Sequence, residues 1–130
     1  MSINTLLYVV KRVINIDNDR KIVEKWLEKI MCVDFAGKEI IQEQINQANI
    51  SIVKHYAYIS VEFDFNETVP QLPWNMGVPV SMLAHQENSA PVHFAIHTKN
   101  NHITELEVVM VDLSKIDINN IDISNVEYFA

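Results

Sequence analysis

The segment Ala90–Asp112, A-P-V-H-F-A-I-H-T-K-N-N-H-I-T-E-L-E-V-V-M-V-D, holds two apolar–polar alternating runs on either side of Lys99-Asn100-Asn101. Alternation with period two is the pattern of a half-buried strand, and two such runs around a short polar turn make a β-hairpin. Its register decides which side chains face the core, because a one-residue slip moves every side chain to the other face. A two-residue turn would set Phe94 opposite Glu107 and Ile96 opposite Glu105. A three-residue loop pairs Val92 with Val108, Phe94 with Leu106 and Ile96 with Thr104, with Asn101 in the left-handed conformation. The apolar pattern selects the second, and the outer face then carries His93 opposite Glu107, Ala95 opposite Glu105, and His97 further along.

The flanking chain sets the layers. Ser2–Ile16 has apolar residues at helical spacing, although its β-branched residues also suit a strand; helix is the expectation. From Asp17 to Met31, Ile22, Val23, Trp26, Leu27, Ile30 and Met31 form one stripe of an amphipathic helix, with Asp17, Asn18 and Asp19 available as caps. Cys32 at its end reads as a core thiol rather than a nucleophile. Asp34 is expected to cap a second helix over Ala36–Ala48, with Ile40, Ile41, Ile45 and Ala48 inward and Lys38, Glu39, Gln42, Glu43 and Gln47 in water.

A short strand at Ile50–Lys54 leads through a bend or bulge near His55 into a strand from Tyr56 to Phe65. In it Ala57, Ile59, Val61, Phe63 and Phe65 face the core, and Tyr56, Tyr58, Ser60, Glu62 and Asp64 face outward. Asn66–Gly77, with Pro70, Pro73 and Gly77, is a loop whose large anchor is Trp74, tucked over a sheet edge in preference to being displayed. Val78–His85 is the next strand. The tail after Asp112 repeats Ile-Asp-Ile, and its isoleucines indicate that it packs. The order predicts an α+β fold in one domain, residues 1–130, with two or three N-terminal helices on one face of a four- to five-stranded, mainly antiparallel sheet. The other face is wet and displays Tyr56, Tyr58, Glu62, Asp64, His93, His97, Glu105 and Glu107.

Charge narrows the partners. The net charge is −7, and it is unevenly placed. Residues 1–54 hold eight Lys/Arg and seven Asp/Glu, whereas residues 55–130 hold Lys99 and Lys115 against ten acids. Such a half repels nucleic acid and anionic membrane and favours a basic protein. A single cysteine excludes an internal disulfide and fits a reducing compartment, and with no signal peptide or membrane span supported the expected location is the cytoplasm.

Catalytic and metal chemistry find little in the pattern. His93 and His97, four apart on one strand face, stand roughly 13 Å apart, too far for one ion unless His55, His85 or His102 folds in. No metal ligands and no cofactor are therefore assigned. Glu62/Asp64 and Glu105/Glu107 are paired carboxylates at about 6.6 Å spacing, a common feature of solvated strands. No Ser or Cys nucleophile accompanies a recognisable His/Asp arrangement, so no catalytic residues are assigned and a non-enzyme is expected.

From Phe35 onward the chain resembles an uncharacterised family of small bacterial α+β domains. The matching motifs are F-A-G-K-E-I-I-Q-E-Q-I, the G-V-P-V of Gly77–Val80, the A-P-V-H of Ala90–His93, and I-H-T-K-N-N-H-I-T-E-L-E-V from Ile96 to Val108. In that family the hairpin usually turns through Asp-Gly, replaced here by Asn100-Asn101. The chain also resembles in type the immunity proteins of bacterial toxin systems, including contact-dependent growth inhibition. That resemblance implies neutralisation of a cognate, basic, nuclease-type toxin, and it leaves monomer and homodimer both open. The partner-binding residues are then Tyr56, Tyr58, Glu62, Asp64, Trp74, His93, His97, Glu105 and Glu107. The alternative reading is a small ligand- or metal-binding domain, or an enzyme, working through the Trp74 loop and the histidines.

Overall fold

Strand order follows from the two hairpins that the sequence closes most tightly. The computed structural model describes residues 18–130; the expected helix over Ser2–Ile16 lies outside them. A helix, α1, covers 18–30, and α2 covers Lys38–Gln47. The strands are β1 Asn49–Lys54, β2 Tyr58–Asp64, β3 Val80–Ala84, β4 Val92–Lys99, β5 His102–Met110 and β6 Val126–Phe129. They form one antiparallel sheet in the order β1-β2-β5-β4-β3-β6. The α+β architecture is as the sequence predicts, with six strands in place of four or five.

The central hairpin corrects the expected register. Asn100 and Asn101 both have positive φ, 54° and 63°, so the turn is the two-residue, primed type that matches strand twist. Lys99 faces His102 and Thr98 faces Ile103, after which the register shifts so that His97 faces Glu105, Ile96 faces Leu106, Phe94 faces Val108 and Val92 faces Met110. Thr104 is the extra residue of a bulge, and its hydroxyl donates to the His97 carbonyl at 3.2 Å. The bulge lets Ile103 and Leu106, three apart, both enter the core. Relative to the three-residue loop the pairs beyond the bulge have moved by two residues, while Thr98 at the tip has moved by one. An even shift preserves the faces, so Val92, Phe94, Ile96, Leu106 and Val108 face inward as expected while each partner differs, and Ile103 takes the inward place expected of Thr104.

The second correction concerns His55. Lys54 faces Ile59, and the His55 N–H donates to the Tyr58 carbonyl at 2.9 Å. The chain reverses there instead of bending, making β1 and β2 a hairpin. The sixth strand comes from the tail, where Val126 and Tyr128 are half-buried and Glu127 and Phe129 exposed. The expectation that the tail packs holds, since Ile116 and Ile118 are buried. Its aspartates close local turns: Asp117 caps a 3₁₀ turn at Ile118–Asn120. Hydrogen bonds from Ser114 and Ser124 hold the Asp112 and Asp122 carboxyls below the usual range. Gln86 exchanges two bonds with the Asp122 backbone, at 2.8 and 3.0 Å. The Tyr128 hydroxyl donates to the Lys29 carbonyl at 2.7 Å, fastening β6 to the end of α1.

Helices cover one face of the sheet. Val23, Trp26, Leu27, Ile30 and Met31 of the first helix and its exit are buried, as the stripe predicts, together with Ile41 and the inner strand residues Ile59, Val61, Phe94, Ile96, Leu106 and Val108. Trp26 meets Phe94 edge-on with ring centroids 5.4 Å apart, a geometry worth about 0.5–1.5 kcal/mol beyond its buried area. Cys32 is exposed, against expectation: α1 has already ended, and the thiol turns back to the Glu28 carbonyl at 3.3 Å. Asp34 does not cap α2. The N-cap is Gly37 at φ 83°, where a Cβ would stand 2.8 Å from the Leu72 side chain, and Asp34 instead pairs with Lys38 at 3.6 Å.

One buried polar residue joins these parts. Gln44, 0% exposed, accepts from the Ile103 N–H at 2.8 Å and donates to the carbonyls of Pro70 at 2.6 Å and Asn101 at 3.2 Å. The β2–β5 ladder ends at Glu62 and Glu105, so the Ile103 N–H lies beyond it and needs this acceptor. The loop between β2 and β3 is thereby tied to α2 and the hairpin tip. Leu72 and Val69 are its buried anchors, while Trp74 is 58% exposed, contrary to the tucked position expected of it.

Candidate functional site

On the outer face, register converts alternating residues into rows. One row crosses all six strands as Val53, Ser60, Glu107, Ala95, Ser81 and Phe129. The next, nearer the hairpin tip, runs Ser51, Glu62, Glu105 and His97. On the other side lie Tyr58, Val109, His93, Leu83 and Glu127. Three carboxylates, Glu62, Glu105 and Glu107, therefore occupy adjoining positions of the central strands with His97 beside them. The expected His93–Glu107 pair does not form; His93 faces Val109 and Glu107 faces Ala95.

Glu62 and Glu105 are directly opposite each other, an arrangement of like charges that costs about 0.2–1 kcal/mol of sheet stability. Among the described residues no Lys or Arg forms an ion pair with Glu62, Glu105 or Glu107; the neighbouring ring is the imidazole of His97, whose Nε2 is 3.6 Å from Glu107 Oε1. Glu105 accepts a hydrogen bond from the Ser60 hydroxyl. The middle of the face is drier than a wet sheet surface: Ala95 and Ser60, set beside Glu107, are only 4% and 5% exposed.

The two tyrosines sit toward the other end of β2. Tyr58, 37% exposed, stacks on His55 with centroids 4.1 Å apart. Tyr56, 68% exposed, lies in the β1–β2 turn, held by a bond from the Ile116 N–H to its carbonyl at 2.8 Å. Asp64 is exposed at the far end of β2, opposite Asn49. Trp74 does not join these rows, because its loop is fastened on the helix side through Gln44, and through the Gly77 carbonyl, which takes both the N–H and the hydroxyl of Thr98 at 2.7 and 2.9 Å. Of the nine residues singled out from sequence, the fold thus brings together Glu62, His97, Glu105 and Glu107, keeps Tyr58 and His93 one row away, and leaves Tyr56, Asp64 and Trp74 at the periphery.

Sequence reasoning missed Ser60, which orients a carboxylate, and the closeness of His97 to two glutamates. The readable signal was the three-residue gap between Ile103 and Leu106, which demands a bulge and so changes what faces His97. No helix among the described residues is long and apolar enough to cross a membrane. Comparison of the chain with protein-family models, curated proteins and solved structures finds no match.

Proposed function

We propose that this protein is a non-enzymatic immunity protein of the cytoplasm that binds a basic bacterial toxin of nuclease type and blocks its substrate groove with the outer face of the sheet. The observation that carries this reading is the juxtaposition of Glu62, Glu105 and Glu107 without a Lys or Arg counter-ion among the described residues. A fold that sets like charges opposite one another gives up stability, and a cationic partner would recover it. Nuclease active sites are cationic because they hold phosphates, so a carboxylate row mimics what such a groove already attracts. Tyr58, one row from Glu107, and Tyr56 in the adjoining β1–β2 turn supply exposed aromatic area at low entropic cost, and Trp74 would touch only a partner large enough to reach around the hairpin tip.

The test is co-expression with the product of the adjacent gene. Rescue from toxicity and a salt-sensitive complex are the expected outcomes. Absence of both rejects the reading. Reversing charge at Glu62, Asp64, Glu105 and Glu107 together should weaken the complex by about a hundredfold or more while far-UV circular dichroism stays unchanged; full affinity in that variant would move the interface off this face.

A further inference from the structure

The outer face also holds a set of donors with the composition of a metal centre. One nitrogen of His97 and one carboxylate oxygen each of Glu105 and Glu107 lie within 4.8 Å of one another, the one group of this kind among the described residues. Three donors of a tetrahedral zinc ion at about 2.0–2.1 Å stand about 3.4 Å apart, so the His97–Glu107 separation of 3.6 Å is already close to that spacing.

The imidazole supplies an independent pointer. His97 Nε2 has less than 1 Å² of accessible surface and no hydrogen-bond partner, and it is aimed at the Glu107 carboxylate. A buried nitrogen left without a partner is costly, on the order of 1–3 kcal/mol, and a ligated cation removes that cost. Ser60 completes the pattern found around metal ligands, since its hydroxyl binds one oxygen of Glu105 and fixes the carboxylate's orientation. The bulge at Thr104 produces the arrangement: it places Glu105 opposite His97 and Glu107 one step along.

We propose that His97, Glu105 and Glu107 bind one divalent transition-metal ion of the zinc type. An imidazole with two carboxylates suits a borderline ion, whereas calcium and magnesium favour all-oxygen sets with higher coordination numbers. Three protein donors leave a further position for water or an incoming ligand. This inference does not rest on the partner-binding reading, and it assigns no reaction.

The experiment is calorimetric titration of zinc into the full chain after chelator treatment, on a Cys32→Ser background so that the exposed thiol contributes nothing. One equivalent should bind, and a large excess of magnesium should not displace it. Ser60→Ala should weaken binding about tenfold, and His97→Ala combined with Glu105→Gln and Glu107→Gln should abolish it with circular dichroism unchanged. The His97 ring resonances should shift on addition of zinc and stay in place with magnesium. No binding, or binding undiminished in the triple variant, overturns the proposal. Because the titration needs no partner, and toxin binding can be measured in chelator, failure of either reading leaves the other standing.

Discussion

The two faces of β5 are built from the same nine residues, and they obey opposite rules. Toward the helices, Ile103, Leu106, Val108 and Met110 are all buried, and each gains free energy from being there whatever its exact partner. Toward the outside, Glu105 and Glu107 meet a carboxylate, a hydroxyl and an imidazole in specific positions. The inner face tolerates an even shift of register, because one apolar neighbour replaces another. The outer face does not, because its properties belong to particular pairs. Burial determines that this sheet forms, and register determines what it can bind.

Substitutions on the two faces should therefore differ in size and in sign. The largest effect belongs inside: Phe94→Ala empties the space beside Trp26 and should cost about 3–5 kcal/mol in urea denaturation, with loss of the near-ultraviolet signal of the tryptophan. A loss under about 1 kcal/mol would mean that the core is not organised around this contact. At the junction of the faces, Gln44→Leu leaves the Ile103 N–H and the Pro70 and Asn101 carbonyls without their side-chain partner. It should cost about 2–3 kcal/mol and accelerate amide exchange at Ile103 ahead of the β4–β5 ladder. The smallest change has the opposite sign: Glu62→Gln removes a like charge facing Glu105 and should stabilise the fold by about 0.2–1 kcal/mol, more at low ionic strength. Destabilisation by Glu62→Gln would contradict the claim that the acidic row is held at the expense of stability.

The same contrast explains what could be read in advance. Periodicity reports faces, so α1, the inner residues of β2, β4 and β5, and the placing of Glu62, Glu105 and Glu107 outside were all legible. Periodicity is blind to an even displacement, and the hairpin was off by that amount. It was also blind to features that depend on distant chain: Gln44 reads as one more polar residue of α2 until the Ile103 N–H is found to lie beyond its ladder. The sixth strand hides in Val126–Phe129 because four residues among Asn, Asp and Ser give too short a pattern to separate from turn. Trp74 misled for a simpler reason, since size suggested an anchor while Leu72 and Val69, with Gly37 making room, do that work.

The fastening of β6 bears on how the fold is reached. It pairs with β3, and its Tyr128 hydroxyl binds the Lys29 carbonyl, 99 residues earlier. A contact of such sequence separation pays a large loop-closure entropy and is expected late, after the local β1–β2 and β4–β5 hairpins. Because β6 pairs with Ser81–Ala84 of β3, the sheet ends on that side in a strand of four residues, a short template for strand addition by a neighbouring chain.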